Sequence, residues 1–432
     1  MNIDNLIQYN SWWLNGKVDP NLLEIHRRPL YNELVNYLDN RQVLVVYGLR
    51  RTGKTTTMYQ IIHHLLENGT QRNNIMYFSF DQEVADIKEI MTIYQETILK
   101  RPITNEKSRI FLFLDEIQKL KYWYNQVKIL YDLHPNLKII ISGSASIGIQ
   151  RHSKESLAGR MFSFLMKPME FGEYLELNQI SFDHSNIRIY KDSIAPHFND
   201  YLLKGGFPEI VKEKDTMKVR RYLSELVERV VMIDIQEEFN IKNYGLLKTM
   251  VNMVEENPGM ILNYESLSRS LSVSKETLIN YFSYLEYSLI IGFVSNLRNS
   301  LNAVSRKMKK VYFNSPSFCL TKRVIPDDTF FGKVIENFVF SKTNANFYFR
   351  NGGNEIDFIL KENHILPIEV KYKNSIDLKK FVNSLKKLKI DRGLIISKDS
   401  FDDHEVDGIR IKVIPAWFLA LKKNEELLTL FE

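Results

Sequence analysis

The sequence predicts an α/β fold with a parallel sheet in its first part and an α+β fold at its end. Three observations predict this arrangement. Five short, nearly continuous apolar runs alternate with helical segments between residues 41 and 167, as expected of parallel strands buried on both faces. From 168 to 257 the strand signals fade and helical periods predominate. The end of the chain then shows a helix, three strands, a lysine-rich helix and a further strand.

The composition is that of an ordinary globular protein with several domains. The chain has 432 residues, or about two to four domains at roughly 100–200 residues each. Hydrophobic residues make up 44% and charged residues 25%, which excludes disordered and fibrous proteins. The 58 Lys and Arg residues against 52 Asp and Glu give a net charge of +6. That charge neither requires nor excludes a nucleic-acid partner.

Three features favour a cytoplasmic location. Cys319 is the only cysteine, which excludes an intrachain disulfide and a CxxC zinc site and suits a reducing compartment. The first residues carry an early acid and no apolar core, unlike a signal peptide. No apolar stretch approaches the ~20 residues that span a bilayer. We therefore expect a cytoplasmic protein with no membrane partner.

Local patterns divide the chain into successive segments. Leu30, Leu34 and Leu38 recur every four residues after Pro29, as in a helix with one apolar face. The strands predicted after this helix are Val43–Tyr47, Ile75–Phe80, Ile110–Leu114, Lys138–Ser142 and Met161–Met166. The predicted segments are a lead-in ending in a helix (1–40), the parallel-sheet core (41–167), a helical segment (168–257), a helix-turn-helix with a wing (258–325) and a final α+β domain (326–432).

A phosphate-binding loop follows the first predicted strand. Residues 48–55 have the pattern G-x-x-x-x-G-K-T between a strand and a helix, the context in which this motif binds nucleotides. Glycines let backbone N–H groups turn towards phosphate oxygens, and the helix N-terminus adds partial positive charge. We expect Lys54 to contact the β- and γ-phosphates of ATP and the Thr55 hydroxyl to bind Mg²⁺. The residues predicted to bind the nucleotide are Gly48, Leu49, Arg50, Arg51, Thr52, Gly53, Lys54, Thr55 and Thr56.

Two carboxylates stand at the end of the third predicted strand. The apolar run Ile110–Leu114 is followed by Asp115 and Glu116, which is the Walker B pattern. We expect Asp115 to hold Mg²⁺ through water and Glu116 to orient or deprotonate the attacking water. The alternative, a pair of solvated acids, is disfavoured by the phosphate loop upstream.

Polar residues beside two other strands complete the predicted catalytic set. Ser142 ends the fourth strand, at the edge where ligands bind open α/β sheets, and could sense the γ-phosphate or position the water. Ser144 is the second choice, and an ordinary turn is the alternative. Arg160 precedes the fifth strand and could neutralise charge in the transition state, unless it is a surface arginine. The other arginines considered for this role are Arg27, Arg28, Arg50 and Arg51.

These motifs resemble a prokaryotic family of AAA-type P-loop ATPases. The resemblance covers nearly the whole chain from about residue 26. It implies an α/β P-loop NTPase with an AAA-like parallel sheet, an α-helical lid, a winged helix-turn-helix and a C-terminal α+β restriction-endonuclease-like domain of the PD-(D/E)xK type. One string departs from the pattern, because the aspartate of a YFxDxG-like string is absent from YFNSPS at 312–317. The matching strings are GLRRTGKTT at 48–56, LFLDEIQ at 112–118, ISGS at 141–144, LAGR at 157–160, PMEFGEY at 168–174, GGFPE at 205–209, LSVSKETLINYFSYLE at 271–286 and IEVK at 368–371.

The segment from 259 to 325 resembles a winged helix and is a candidate for binding double-stranded DNA. Its second helix, starting at Ser274, would lie in a major groove, although Glu276 and Glu286 make it only weakly basic. The wing is more basic and suits a phosphate backbone. A lid or a protein-contact module is an equal alternative. The candidate contact residues are Lys275, Thr277, Asn280 and Tyr281 on the helix, and Arg298, Arg306, Lys307, Lys309, Lys310, Lys322 and Arg323 around the wing.

Acidic residues near the C-terminus resemble a nuclease site. Asp357 and the triplet Glu369-Val370-Lys371 lie on neighbouring predicted strands, which is similar to the D…E-x-K core of restriction-endonuclease-like domains. Strand alternation places Glu369 and Lys371 on one face. Two carboxylates could hold Mg²⁺ while the lysine orients a water, and Glu336 on the preceding helix is the candidate third ligand. Solvated acids in an inactive domain are the alternative.

We therefore expect a Mg²⁺-dependent ATPase whose hydrolysis drives a conformational switch linked to DNA binding or processing. One alternative is a nucleotide-controlled switch with slow turnover that acts through protein contacts. Another is a metal-dependent DNA nuclease in which ATP only controls access. ATP and Mg²⁺ are the expected cofactors, double-stranded DNA and a protein are the candidate partners, and the sequence sets no oligomeric state.

Overall fold

The computed structural model describes most of the chain. The described residues are 3–81, 85–144, 156–241, 243–297, 309–323, 327–351, 353–361, 365–373 and 376–431. The chain divides into two compact units, Met1–Pro168 and Met169–Glu432. Within the described ranges, no helix has the length and apolar character needed to cross a membrane.

The first unit is built on a five-stranded sheet. The strands have the order β2-β3-β4-β1-β5, and every neighbouring pair is parallel. The predicted parallel sheet is confirmed. Because all its strands point the same way, their carboxyl ends meet at one edge. The strands are β1 (Val43–Gly48), β2 (Ile75–Ser79), β3 (Ile110–Asp115), β4 (Leu137–Ser144) and β5 (Met161–Leu165).

The N-terminal segment completes one edge of this sheet. Asn10 forms two hydrogen bonds with the backbone of Tyr77 in β2, donating to O at 2.9 Å and accepting from N at 2.7 Å. The indole N–H groups of Trp12 and Trp13 both donate to Ile75 O. These side chains satisfy backbone groups that an edge strand otherwise leaves unpaired. The helices of this unit are α1 (Ile3–Tyr9), α2 (Trp12–Asn15), α3 (Pro29–Asn36), α4 (Lys54–Glu67), α5 (Ile87–Tyr94) and α6 (Trp123–Leu133).

The second unit begins with helices. Asp215 and Ser274 cap two of them: Ser274 Oγ accepts from Thr277 N at 3.0 Å, as the sequence predicts for this position. The helices are α7 (Phe171–Leu177), α8 (Lys191–Lys204), α9 (Thr216–Arg229), α10 (Ile235–Phe239), α11 (Tyr244–Glu256), α12 (Tyr264–Leu271) and α13 (Lys275–Tyr287).

The rest of the second unit is an eight-stranded mixed sheet with helices. The strand order is β12-β13-β11-β10-β9-β8-β6-β7. Its strands are β6 (Ile291–Asn296), β7 (Lys310–Phe313), β8 (Phe347–Asn351), β9 (Asn354–Lys361), β10 (Ile365–Lys371), β11 (Arg392–Ser397), β12 (Asp402–Val406) and β13 (Ile409–Pro415). Its helices are α14 (Asp328–Thr343), α15 (Lys379–Leu388), α16 (Ala416–Ala420) and α17 (Asn424–Thr429).

The wing strands predicted from the sequence, Ile290–Ser295 and Lys310–Phe313, correspond to β6 and β7 and belong to this larger sheet. β6 and β7 pair antiparallel. β6 also pairs in parallel with β8, placing Ser295 opposite Phe347 and Asn296 opposite Tyr348. Through β6 the hairpin is therefore hydrogen-bonded to β8, a strand that lies beyond the segment boundary expected at residue 325.

Candidate active site

The phosphate loop connects the end of β1 to the start of α4. A Cβ on Gly48 would lie 2.3 Å from Met166 O, so only glycine fits at this position. Gly53 has a φ of +97°, which a side chain would strain. Helix α4 begins at the next residue, Lys54. The first N–H groups of a helix point out of its N-terminal end, which here faces the loop.

Side-chain contacts hold the loop in place. Lys54 is only 4% exposed, and its Nζ donates to Leu49 O at 2.8 Å. The hydroxyl of Thr52 donates to the same oxygen at 2.9 Å. Behind the loop, the buried guanidinium of Arg28 donates to Thr52 O at 2.6 Å and to Lys167 O at 2.9 Å. Arg28, one of the arginines considered for catalysis, thus binds backbone carbonyls instead.

Asp115 is a buried carboxylate on which three hydroxyl groups converge. Thr55 Oγ1 donates to its Oδ2 at 2.7 Å, and the Tyr77 hydroxyl donates to the same oxygen at 2.8 Å. Ser142 Oγ donates to Oδ1. These donors come from α4, β2 and β4 respectively. The sequence predicted roles for Asp115, Thr55 and Ser142, and the structure brings these three together.

Tyr77 was not predicted, and its environment keeps it a hydrogen-bond donor. Burial, assisted by the nearby Asp115 carboxylate, raises the pKa of the Tyr77 hydroxyl well above its ordinary value. Its ring lies 4.7 Å from the ring of Tyr59, measured between centroids, and burial raises the pKa of Tyr59 to about 12. The sequence signal for Tyr77 is weak: it is a hydroxyl in a run that is apolar apart from Ser79.

Glu116 lies next to Asp115 in a left-handed backbone conformation, with a φ of +52°. This conformation is uncommon outside glycine and often occurs at functional sites. Gln118 Nε2 donates to Glu116 Oε2 at 2.6 Å and to Ser144 Oγ at 3.0 Å. Arg50 Nη1 lies 3.9 Å from Glu116 Oε2. The second-choice serine, Ser144, is therefore linked to Glu116 through Gln118, which was not predicted.

Arg160 lies at the opposite end of the sheet. It precedes β5, and its carbonyl accepts a hydrogen bond from the N–H of Val43 at the start of β1. Its guanidinium pairs with Asp132 at the end of α6, with Nε 2.9 Å from Oδ1. The phosphate loop lies beyond the other end of β1, about 20 Å away for six residues at ~3.3 Å each. The prediction that Arg160 acts at this loop is wrong, because the beginning and end of a strand lie at opposite edges.

Comparison with known families agrees with this geometry. A model described as an AAA domain matches residues 40–175, the range that contains the phosphate loop, Asp115 and Glu116. This region is an AAA-type P-loop ATPase domain. Two models described as domains of unknown function, DUF8612 and DUF4143, match residues 195–328 and 331–419.

Similarity to other proteins extends beyond the ATPase domain. An uncharacterized protein of Haemophilus influenzae is 24% identical over 409 residues, covering 91% of this chain and 98% of its own. The uncharacterized protein MJ1637 of Methanocaldococcus jannaschii is 27% identical over 409 residues, covering 86% of this chain and 83% of its own. A solved structure, the Walker-type ATPase paby2304 of Pyrococcus abyssi, is 15% identical with a TM-score of 0.45. It covers 70% of this chain and 96% of its own.

Outside the ATPase domain, the residues of the predicted nuclease site lie close together. Asp357 Oδ2 accepts a hydrogen bond from Val370 N at 2.9 Å, and Glu369 Oε2 accepts one from Asp357 N at 3.3 Å. Lys371 Nζ lies 2.6 Å from Glu369 Oε1. Burial, together with the neighbouring Asp357, raises the pKa of Glu369 to about 8.

Lys310 of β7 lies among three carboxylates, which we call the C-terminal carboxylate cluster. Lys310 Nζ lies 3.2 Å from Glu336 Oε1, 2.9 Å from Glu355 Oε1 and 3.3 Å from Asp357 Oδ1. Burial lowers the pKa of Lys310, but the three carboxylates outweigh burial and raise it. The side chain is 5% exposed. The interpretation of Lys310 as a phosphate contact of the wing is therefore wrong, because its ammonium group is buried among carboxylates.

The donor set of the cluster does not fit Mg²⁺. This ion requires near-octahedral oxygen ligands at about 2.0–2.1 Å. Here Glu336 and Asp357, two of the predicted ligands, bind Lys310, and the Tyr312 hydroxyl also donates to Glu336 at 2.5 Å. In the part of the chain that the structure describes, no group of three or more His, Cys, Asp or Glu residues is suited to holding a metal. The prediction that Glu336, Asp357 and Glu369 share an ion is therefore corrected.

An open cleft of about 600 Å³ lies beside the cluster, along α14 and the end of β10. It is richer in basic than in acidic side chains. Lys333 donates to Asn257 Oδ1 at 2.6 Å, and Lys398 Nζ lies 6.0 Å from the ring centroid of Tyr372. The charged residues lining the cleft are Lys333, Lys371, Lys373, Lys398, Asp328 and Glu336.

The remaining wing residues have varied environments. Lys309 Nζ lies 5.0 Å from the ring centroid of Phe293. Lys322 pairs with Glu255 at 2.9 Å, and the Arg323 guanidinium lies 3.9 Å from the ring centroid of Phe330. The wing residues that lie outside the described residues are Arg298, Arg306 and Lys307.

Proposed function

We propose that the ATPase domain binds Mg²⁺·ATP, hydrolyses it and uses hydrolysis to drive a conformational switch. The observation that carries this proposal is the convergence on Asp115 of the hydroxyl groups of Thr55, Tyr77 and Ser142. Thr55 and Asp115 supply a hydroxyl and a carboxylate whose oxygens lie 2.7 Å apart. Oxygen ligands of this kind are the ones Mg²⁺ prefers, so these residues fit the ion.

The phosphate loop supplies the binding groups. The N–H groups at the start of α4 and the backbone of residues 48–56 would surround the phosphates. Lys54 would exchange its contact with Leu49 O for phosphate oxygens. Mg²⁺, when bound, would offset the negative charge on the phosphates. Tyr77 and Ser142 would act as positioning residues, because they orient Asp115 and keep its carboxylate in one conformation.

Glu116 is the proposed general base or water-orienting group. Its Oε2 is held by Gln118, which also bonds Ser144 at the end of β4. We propose that this link lets Ser144 report the state of the phosphate site to Glu116. Ser142, by contrast, is fully buried against Asp115, which favours positioning over phosphate sensing. Arg50 replaces Arg160 as the proposed charge-neutralising arginine, since it lies on the loop within 3.9 Å of Glu116.

A phosphate-release assay with Mg²⁺ and ATP tests this proposal. We expect release by the wild type and its loss in Asp115→Asn. Asp132→Asn is the matched control, because Asp132 pairs with Arg160 at the other end of the sheet and its loss should leave turnover unchanged. Equal rates in all three proteins would contradict the proposal. Stoichiometric ATP binding with almost no release would instead favour the slow switch that acts through protein contacts.

Binding of double-stranded DNA through its phosphate backbone is the second candidate function. The observation that favours it is the lysine-lined cleft of the second unit, with four lysines and two acids. Clustered lysines bind polyanions mainly by releasing counterions, which makes affinity depend steeply on salt. This proposal includes three domain assignments made from the sequence: a helical lid for 168–257, a winged helix-turn-helix for 258–325 and a restriction-endonuclease-like domain for 326–432. We also propose the boundaries 1–40 and 41–167 and a cytoplasmic location.

Fluorescence anisotropy with a labelled duplex at several salt concentrations tests DNA binding. Replacing both Lys373 and Lys398 with Ala should reduce the log–log salt slope by about 0.9 for each phosphate that the variant no longer neutralises. Lys386→Ala is the matched control, because this exposed lysine of α15 pairs with Asp407 and does not line the cleft. No binding at low salt, or equal slopes in all proteins, would favour the protein-contact alternative. Stimulation of phosphate release by the duplex would connect the two functions.

The ATP-gated nuclease is an alternative that we do not favour. The proximity of Asp357, Glu369 and Lys371 favours it, whereas the ammonium group of Lys310 among the carboxylates opposes it. Incubation of plasmid DNA with Mn²⁺, with and without ATP, tests it. Cutting by the wild type that Asp357→Ala abolishes would support the nuclease.

A further inference from the structure

We infer that Lys310 is the resident cation of the C-terminal carboxylate cluster and closes it to divalent metal ions. Three carboxylate oxygens, one from α14 and two from β9, lie within 3.3 Å of one ammonium nitrogen. They belong to Glu336, Glu355 and Asp357. A doubly charged ion and this ammonium group cannot occupy the same space, and at close range each repels the other.

Three further oxygens around the cluster are also engaged. Asp357 Oδ2 binds the backbone N–H of Val370, and both oxygens of Glu369 accept hydrogen bonds, one from Lys371 and one from Asp357 N. A metal would need to displace several of these contacts as well as Lys310. These contacts give each of the named oxygens a donor and place two ammonium groups, those of Lys310 and Lys371, among the carboxyl groups, and buried polar and charged groups require such partners.

Lys310 also connects this cluster to the start of the helix-turn-helix segment. Residue Ile261 forms a β-bridge with Lys310, and Leu262 N donates to Lys309 O at 2.9 Å. Lys310 therefore lies where the backbone leading into α12 meets the carboxylates of α14 and β9. In this proposal the cluster is an ion-pair lock that fixes β7 and the residues before α12, and it does not hold metal.

The number of Mn²⁺ ions bound per full-length chain, measured by isothermal titration without nucleotide, tests the inference. The wild type and Asp357→Asn should bind the same number, because the cluster takes up no ion in either. Lys310→Met removes the charge with little change in length, and we expect it to gain one Mn²⁺ site that the wild type lacks. The double variant Lys310→Met/Asp357→Asn should lack this additional site.

Two results would overturn the inference. One is a Mn²⁺ ion in the wild type that disappears in Asp357→Asn, which would mean that the cluster admits metal despite Lys310. The other is a folded Lys310→Met that gains no ion. If Lys310→Met does not fold, the comparison of the wild type with Asp357→Asn still decides whether the cluster is closed. Any ion bound at Thr55 and Asp115 is common to all four proteins and cancels in the comparison.

Discussion

Replacing Tyr77 with Phe should slow ATP hydrolysis while leaving ATP binding nearly intact. The change removes one oxygen and with it the hydrogen bond of 2.8 Å to Asp115 Oδ2. Thr55 and Ser142 still hold the carboxylate, but one of its three side-chain donors is gone. A hydrogen bond to a charged group contributes about 1.5–3 kcal/mol. At about 1.4 kcal/mol per factor of ten, kcat should fall roughly tenfold to hundredfold.

The assay separates this effect from general destabilisation. Steady-state phosphate release gives kcat and KM, and we expect KM for ATP to change less than about threefold, since Tyr77 positions Asp115 and does not touch the loop. Tyr94→Phe is the matched control. Its hydroxyl donates to Asn73 O at 2.5 Å in the same unit, so the variant also removes a buried hydrogen bond without affecting Asp115. Wild-type kcat in Tyr77→Phe, or an equal fall in Tyr94→Phe, would refute the role of Tyr77.

Three further predictions concern single residues. Lys54→Ala should weaken ATP binding at least tenfold in titration calorimetry, about 1.4 kcal/mol, because it removes the ammonium beside the loop; unchanged affinity would contradict this. Glu116→Gln should keep ATP binding and slow hydrolysis by roughly 10²–10⁴-fold, and an unchanged rate would mean that another group orients the water. The third prediction uses the pKa of Glu369, which is raised from 4.5 to about 8. Between these values the folded state keeps a proton that the unfolded state releases. The contribution of Glu369 to the free energy of unfolding is therefore fully present below pH 4.5 and is lost as pH rises through 8. Melting temperatures of Glu369→Gln should therefore fall less steeply across this window than those of the wild type, and parallel curves would show that Glu369 does not titrate there.

The parallel sheet could be predicted because its signals are local. Strands buried on both faces are apolar throughout, and four of the five strands of the first unit are buried along nearly their whole length. The phosphate loop is also local, since its second glycine, Lys54 and Thr55 are consecutive. β12, by contrast, was missed because Asp402–Val406 is polar and mostly exposed, a pattern that does not differ from that of a loop.

The contacts that define the two sites could not be predicted from local patterns. Tyr77 is 38 residues from Asp115, and only the strand order places β2 beside β3. Lys310 is 26 residues from Glu336 and 47 from Asp357, so nothing in the basic composition of the wing indicated that this lysine is buried among carboxylates. The position of Arg160, by contrast, could have been predicted, because a residue that precedes a parallel strand lies at the edge opposite the one that carries the phosphate loop.

The burial of Lys310 also determines which lysine can be used to study DNA binding by the wing. Reversing Lys310 to Glu would place a fourth carboxylate beside Glu336, Glu355 and Asp357, and uncompensated buried charge is strongly destabilising. A fall in DNA binding in such a variant would therefore report damage to the second unit. Lys309 is adjacent in sequence, but its ammonium group lies 5.0 Å from the Phe293 ring centroid, whereas the three carboxylates pair with Lys310. A fall in affinity in Lys309→Glu with an unchanged melting temperature would reflect the wing itself, whereas a fall confined to Lys310→Glu would reflect the ion-pair lock.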